Sequence, residues 1–271
     1  MHLSEPLAAS WKASLSLSFA RDENRSVLAQ RSHEGPLVVQ KPLYPEGDAV
    51  CHAIVVHPPG GIAGGDELAL DVSAAQGSHA LLTTPGAGKW YRSAGSRAQQ
   101  SLRFEIDGTL EWLPRETIVF NGALASFECS VELRNDARYI GWEVLCLGRS
   151  GSGERFEKGE IQLEQRISRD GRLLWRERGC IEGGGRIMSS PAGLGGRSVC
   201  GTMVAAAPVA IDHHRKEAPA CLALTVLPGV LIARYLGDSS EEAMRAFAAL
   251  WSLVRPAVAG RVAVEPRIWR T

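Results

Sequence analysis

The stretch from His57 to Ser93 contains two glycine-rich segments, HPPGGIAGGDELALDV at residues 57–72 and TTPGAGKWYRS at residues 83–93. The second segment resembles a phosphate-binding loop. Such a loop requires Gly, four residues and then Gly-Lys-Ser/Thr, so that backbone N–H groups surround the phosphates. Here Thr83 occupies the position of the first Gly, and Trp90 follows Lys89. The sequence therefore argues against a nucleotide site in this segment.

The first segment also fails the rule for dinucleotide binding, which requires glycines at relative positions 1, 3 and 6 between a strand and a helix. Its glycines lie at residues 60, 61, 64 and 65, and apolar residues alternate with others after Asp66. Leu68, Leu70 and Val72 are typical of one face of a β-strand. We therefore expect tight turns followed by a strand, with glycines where the backbone bends or approaches another segment closely.

Alternation with a period of two recurs along the chain and predicts a mainly β protein. Apolar and polar side chains alternate at residues 15–19, 127–133 and 161–167. The turn pairs Asp107-Gly108, Asn121-Gly122 and Asp170-Gly171 separate such runs, and pairs of this type are typical of β-hairpins. We expect layered β-sheets in a single domain over residues 1–271.

One segment near the carboxyl end has helical spacing instead, with apolar residues at Met244, Phe247, Ala248, Trp251 and Val254. Ser239 and Glu242 form a capping box, and Pro256 is expected to stop the helix. The pattern predicts an amphipathic helix over residues 240–255 that packs on a sheet. The glycine-rich segment 183–196 has no period, which predicts a mobile loop.

Composition excludes several classes of protein. Lys plus Arg and Asp plus Glu both number 30, so the formal net charge is zero, and we expect no nucleic-acid partner. No apolar run approaches the ~18–20 residues of a membrane span, and the amino terminus lacks the pattern of a signal peptide. We therefore expect a cytoplasmic protein with no membrane partner. The six cysteines are widely separated, which favours reduced, mostly buried thiols over a zinc site or a disulfide framework.

Candidate metal and catalytic residues are few. Cys51, His52 and His57 are metal-ligand types, but in an extended strand Cys51 and His57 would lie roughly 20 Å apart on one face while His52 points to the other. One ion could bind all three only if the strand bends. The pair His213-His214 is a weaker candidate in a segment that fits a solvated loop. No Gly-x-Ser-x-Gly elbow occurs, and we expect no enzyme activity.

Some charged residues stand where the chain is otherwise apolar or bent by glycine, namely Glu46, Asp66, Lys89, Arg92, Glu116 and Glu143. In one interpretation they form buried ion pairs that fix the register of strands. In the other they line a water-filled internal passage, whose carboxylates suit borderline cations such as Ni²⁺. The residues themselves leave both interpretations open.

The order of several motifs is similar to that of the urease accessory protein UreD (UreH) family. The similarity extends from about Trp11 to Thr271 and is carried by residues 35–47, Cys51-His52, residues 57–66, 83–93 and 111–120, Gly148-Arg149 and residues 266–269. Any one of these motifs would be weak alone, but their shared order makes the resemblance specific.

The resemblance implies a non-enzymatic scaffold with layered β-sheets, β-helix-like character and a small helical part. It implies a direct partner, UreF, which recruits the GTPase UreG, and a complex that docks on apo-urease and delivers nickel. No cofactor is expected to bind tightly, although Ni²⁺ is expected to pass transiently through a tunnel.

The resemblance also nominates residues. Glu46 and Asp66 lie in two family motifs and are the candidates for nickel contact, while Thr84, Lys89, Arg92 and Glu143 are candidates for the lining. The alternative is an adaptor that positions urease and UreF without passing nickel. Residues 240–255 and 267–269 are candidate partner surfaces, although Trp251 and Trp269 also fit a core role.

Overall fold

A computed structural model describes residues 10–209 and 216–270. Its first sheet, sheet 1, has seven strands in the spatial order β14-β13-β11-β8-β5-β1-β2. The strands of sheet 1 are β1 Lys12–Asp22, β2 Arg25–Glu34, β5 Glu67–Ala74, β8 Ala98–Ile106, β11 Leu124–Leu133, β13 Glu160–Arg169 and β14 Arg172–Glu182. The predicted strands at residues 15–19, 68–72, 127–133 and 161–167 are therefore confirmed.

The second sheet, sheet 2, follows the order β16-β17-β15-β12-β9-β6-β4-β3, and β10 joins it by pairing with both β12 and β7. The strands of sheet 2 are β3 Val38–Val39, β4 Cys51–Val56, β6 His79–Thr83, β7 Gly88–Trp90, β9 Thr109–Trp112, β10 Thr117–Val119, β12 Arg138–Leu147, β15 Val199–Ala206, β16 Leu222–Leu227 and β17 Val230–Gly237.

Between β4 and β13 the chain passes repeatedly from one sheet to the other. Parallel pairs therefore fill the middle of each sheet, with β1, β5, β8, β11 and β13 in sheet 1 and β4, β6, β9 and β12 in sheet 2. Parallel neighbours need a crossover, and here the other sheet supplies it. The fold is mainly β with β-helix-like character, as the motifs implied.

This path corrects the expectation of hairpins at two of the three turn pairs. Asp107-Gly108 connects β8 to β9, and Asn121-Gly122 lies between β10 and β11, so both lead from one sheet to the other. Asp170-Gly171 alone closes an antiparallel hairpin, between β13 and β14. A turn sequence bends the chain locally, but it does not decide which strand the chain pairs with afterwards.

Glycines in the segment that follows β4 serve the expected purposes. Gly65 has a φ of +95°, a conformation that strains other residues. A Cβ on Gly64 would lie 2.7 Å from the backbone oxygen of Ser96, so that position requires close approach of two backbones. Both positions turn the chain into β5.

Two helices complete the described fold, α1 Arg186–Ser189 and α2 Ser240–Ala259, with 3₁₀ turns at Ser150–Ser152 and Arg267–Arg270. The Ser239 side chain caps α2 by accepting a hydrogen bond from the Glu242 N–H at 3.2 Å. The segment 183–196, predicted as a mobile loop, contains α1 and several backbone hydrogen bonds. Among the described residues, no helix combines the length and apolar character needed to cross a membrane.

The predicted end of α2 at residue 255 is wrong. The helix continues through Pro256 to Ala259, and its C-cap is Gly260, which has a φ of +69°. Proline removes one N–H donor from a helix but adopts helical φ readily. Burial of Val258 and Ala259 beyond it favours one further turn.

Apolar side chains form two cores. One lies between the sheets and takes alternate residues of most strands, such as Leu15, Leu70 and Val131. The other lies between sheet 2 and α2, where Phe247, Leu250 and Trp251 are completely buried. Trp251 therefore belongs to the core.

Candidate functional site

A cavity of about 550 Å³ lies between the two sheets. Leu102, Cys129 and Gln165 occupy paired positions on β8, β11 and β13, and all three point inward yet are only half-buried. Their accessible surface faces this cavity. The inter-sheet core is therefore incomplete near its centre.

The cavity wall is mainly apolar but contains a few polar groups. Apolar surface comes from both sheets, for example from Leu70 and Phe127 in sheet 1 and from Trp112 and Val204 in sheet 2. Glu143, Gln165 and Thr202 supply polar groups in the same wall. A mostly apolar pocket with a few placed polar groups is the usual form of a binding site.

Three carboxylates line the cavity, of which Glu128 is exposed to solvent and Glu164 pairs with Arg176, while Glu143 faces the space between the sheets. Glu143 lies on β12, whose alternation places Tyr139, Glu143 and Leu145 between the sheets and Trp142 and Val144 toward α2. The Gln165 side chain donates a hydrogen bond of 2.8 Å to Glu143 Oε2. Burial raises the pKa of Glu143 to about 7, although the Gln165 hydrogen bond opposes the shift and the negative charge of Glu177 adds to it. Near neutral pH this carboxylate can therefore gain or lose a proton.

An ion pair joins the two sheets close to Glu143. Arg234 of β17 lies 2.8 Å from Glu177 of β14, and it also donates to the Thr202 hydroxyl at 3.2 Å.

Two thiols near Glu143 carry no charge. Burial raises the pKa of Cys129 and of Cys200 to about 12, so both stay neutral near pH 7. Glu143 is thus the ionisable group at this part of the wall that has no cationic partner among the described residues.

Glu46, the first candidate for nickel contact, lies elsewhere, beneath α2 on the outer side of sheet 2. Its Oε2 accepts a hydrogen bond of 2.6 Å from Arg255 Nη1, and its Oε1 accepts one of 2.8 Å from Arg255 Nη2. Oε1 also lies 2.7 Å from His52 Nε2. The side chain is 4% exposed, so both of its oxygens are already engaged.

Arg255 links Glu46 to a second carboxylate, Glu111, and Arg255 and Glu111 are completely buried. Arg255 Nε donates to the two oxygens of Glu111 at 3.0 and 3.1 Å, while His79 Nε2 lies 2.6 Å from Oε1. Trp251 Nε1 donates to Oε2 at 2.6 Å. We call Glu46, His52, His79, Glu111 and Arg255 the Arg255 cluster.

Electrostatics keep the carboxylates of the Arg255 cluster ionised. Burial alone would raise the pKa of Glu111, but the hydrogen bonds and charges of His79 and Arg255 outweigh it and hold the pKa at about 2. Burial likewise opposes ionisation of Glu46, yet its hydrogen bonds with His52 and Arg255 lower its pKa. The cluster therefore matches the interpretation in which buried ion pairs fix the packing of strands and helix.

Asp66, the second candidate for nickel contact, closes the glycine-rich turn. It is 5% exposed, its Oδ1 accepts from the Trp11 N–H at 2.9 Å, and its Oδ2 accepts from the Ala63 N–H at 2.7 Å. Asp66 thereby connects the start of β1 to the turn before β5. Neither Asp66 nor Glu46 lines the inter-sheet cavity, and nickel contact at these residues stays a prediction.

We expect Asp66→Asn to lower the free energy of unfolding by about 1–3 kcal/mol, because the amide would accept fewer hydrogen bonds from the two backbone donors. Urea unfolding followed by circular dichroism measures this effect. Asp71→Asn on the outer face of β5 is the matched control and should change stability by less than about 0.5 kcal/mol. Equal values for the two variants would contradict the structural role of Asp66.

The remaining predicted lining residues divide into two groups. Thr84 and Lys89 line the cavity together with Glu143, and Thr84 Oγ1 accepts a hydrogen bond of 2.9 Å from the Arg115 N–H. Arg92 is exposed and does not line the cavity. The structure therefore brings three of the six nominated residues to one cavity.

Cys51, His52 and His57 do not converge. Cys51 faces the inter-sheet core, His52 faces Glu46 on the other side of β4, and His57 lies beyond the end of that strand at the cavity. Among residues 10–209 and 216–270, no three His, Cys, Asp or Glu side chains group closely enough to hold a metal ion. The pair His213-His214 lies outside the described residues. Two of the six thiols, Cys180 and Cys221, are exposed, so fewer are buried than expected.

Two residues of these sites, Gln165 and Arg255, were not predicted from the sequence. Gln165 occupies an inward position in the alternation of β13, between Leu163 and Ile167, and a polar residue there was a readable signal. Arg255 stands in the apolar stripe of α2 one residue before proline, but nothing local indicates its partners.

Comparison with known proteins is consistent along the chain. Residues 12–270 match the family described as UreD urease accessory protein. The chain is 55% identical to urease accessory protein UreD of Dechloromonas aromatica (strain RCB), covering 97% of this chain and 95% of that protein. It is 52% identical to urease accessory protein UreD of Azoarcus sp. (strain BH72), covering 100% and 97%. The chain therefore belongs to the UreD family of urease accessory proteins.

Proposed function

We propose that this protein acts in the cytoplasm as a nickel-delivery scaffold for urease maturation, binding UreF directly and UreG through UreF on apo-urease. In this proposal Ni²⁺ is cargo and crosses the protein through the inter-sheet cavity. The observation that carries the proposal is the Glu143 carboxylate on the wall of an internal cavity, in a chain that belongs to a urease accessory family.

The chemistry of the cavity suits transient contact better than storage. A carboxylate oxygen is an acceptable ligand for a borderline cation, but among the described residues no three His, Cys, Asp or Glu side chains group closely enough to hold the ion tightly. A conduit must release the ion that it admits. Because the pKa of Glu143 is about 7, the carboxylate can exchange a proton for the passing cation near neutral pH.

The Arg255 cluster and Asp66 have supporting roles in this proposal. Glu46 holds α2 against sheet 2, and Asp66 holds the glycine-rich turn that carries His57 and Ile62 to the cavity. Nickel contact at Glu46 would require Arg255 or His52 to move, because these residues occupy its oxygens.

We expect Glu143→Gln to lower the nickel content and the activity of urease several-fold when the variant is produced with urease and the other accessory proteins. The substitution replaces the ionisable carboxyl group by a neutral amide and keeps the size of the side chain. Nickel per urease is measured by atomic absorption, and co-purification of UreF shows whether the complex still forms. Glu105→Gln, on the outer face of β8, is the matched control. Unchanged nickel loading with Glu143→Gln would contradict the conduit.

Obstructing the cavity distinguishes the adaptor alternative from the conduit. Leu102→Trp would fill space that faces the cavity from the centre of sheet 1, whereas Arg103→Trp would place the same bulk on the outer face. If the protein is a conduit, Leu102→Trp should abolish urease activation and Arg103→Trp should not. If it is an adaptor, both variants should activate urease as long as UreF still co-purifies.

A further inference from the structure

The inter-sheet cavity has more apolar surface than a path for hydrated ions requires. Its volume of about 550 Å³ lies within the roughly 300–1,000 Å³ of small-molecule sites. Leu68, Leu70 and Val131 in sheet 1 face Trp90, Trp112 and Val204 in sheet 2 across it. Water gains few hydrogen bonds along such walls, so an apolar occupant would be favoured.

One polar contact remains available inside this apolar space. Glu143 Oε2 accepts from Gln165, whereas among the described residues no group donates to Oε1. Among the described residues, the one fully buried side-chain oxygen or nitrogen without a partner is Oε2 of Glu116. Oε1 of Glu143 also lacks a partner, so it must be accessible, and the space that it faces is the cavity. A ligand can therefore reach this oxygen.

The charge around Glu143 favours a cationic head group. Glu177, whose negative charge acts on Glu143, pairs with Arg234, so these two charges offset and the ionised Glu143 leaves a net negative charge. Of the cationic side chains of the lining, Lys89 and Arg166 are exposed to solvent, and Arg115 pairs with Glu116 at 3.5 Å. An anionic ligand would therefore face an unpaired carboxylate in the wall.

We propose that this cavity binds a small amphipathic cation, a primary alkylammonium ion of medium chain length, with its chain between the sheets and its ammonium group on Glu143. This site goes beyond the proposed function and does not depend on it. If nickel crosses the same cavity, the occupant would obstruct the passage, so the site would offer a means of control.

Isothermal titration calorimetry with butylamine, hexylamine and octylamine tests the proposal on the purified protein. Saturable binding is expected, with affinity rising about fourfold for each added CH₂ group until the chain fills the cavity. Glu143→Gln should weaken octylamine by about tenfold or more, because it removes the charge-assisted hydrogen bond. The same variant should leave octanol binding unchanged.

Matched variants distinguish binding in the cavity from binding at the protein surface. Leu102→Trp should abolish octylamine binding and Arg103→Trp should retain it; Thr202→Phe obstructs the cavity from sheet 2 if Leu102→Trp does not fold. The site is overturned if the wild-type protein shows no saturable binding, or if the folded obstructed variant binds as well as the wild type. Equal weakening of octylamine and octanol by Glu143→Gln would overturn the assignment of the head group. None of these readouts involves urease, so they test the site separately from nickel delivery.

Discussion

Arg255→Met is expected to lower the free energy of unfolding by about 3–5 kcal/mol, the usual consequence of removing one partner from a buried ion pair. Arg255 is completely buried and donates to both Glu46 and Glu111. Methionine preserves much of the volume, so the loss would arise from two buried carboxylates without their cation. For a chain of this size, each kcal/mol corresponds to roughly 2–4 °C in Tm. Urea and thermal unfolding measure both quantities.

Arg245→Met is the control on the same helix. Arg245 is exposed, and its Nε reaches only the Glu241 carbonyl at 3.4 Å, so we expect a change below about 0.5 kcal/mol. Adding Glu46→Gln and Glu111→Gln to Arg255→Met should recover part of the loss, because both uncompensated charges are then absent. A loss no larger than that of Arg245→Met would show that the Arg255 cluster contributes little to stability.

The contribution of Glu143 to the free energy of unfolding should fall by up to about 3 kcal/mol as pH rises from about 4.5 to about 7. The sign follows from its raised pKa, which is about 7 in the folded protein against an ordinary 4.5. In that window the unfolded chain has released the proton while the folded protein keeps it, so unfolding becomes easier with rising pH. Water inside the cavity would screen the buried charge and reduce the effect.

Glu143→Gln removes this dependence and is expected to be more stable than the wild type at pH 8, with a smaller difference at pH 5. Urea unfolding of both proteins at the two pH values measures the change. Both proteins contain the same histidines and the Arg255 cluster, so the pH dependence that these groups contribute cancels in the comparison. A stability difference that is the same at pH 5 and pH 8 would contradict the raised pKa. A residue that costs stability at working pH is typical of a functional site.

These two predictions concern opposite sides of sheet 2. Beneath α2, two carboxylates are fully paired and stabilise the packing of the helix. Between the sheets, one carboxylate has an accessible oxygen and a pKa near neutrality. The buried charged residues therefore divide into those paired with a cation, such as Glu46, and Glu143, which has no cationic partner among the described residues.

Alternation predicted β1, β5, β11 and β13 because the face of a strand to which a side chain points is a local property of extended backbone. The same rule correctly separated Cys51 from His52. It did not predict that Asp107-Gly108 leads to the other sheet, since the pairing of a strand depends on neighbours far along the chain. The helix end was wrong because burial of Val258 outweighed a local stop signal.

Periodicity and motif order are written along the chain, and they predicted the mainly β fold class, the family resemblance and a charged residue, Glu143, at an otherwise apolar position. Which charged residues have partners depends on tertiary contacts. Glu46 and Arg255 are 209 residues apart and form a direct hydrogen bond, while Glu143 and Gln165 come from opposite sheets and form one in the cavity wall. Such contacts depend on the order of strands and the packing between layers, which no local pattern specifies.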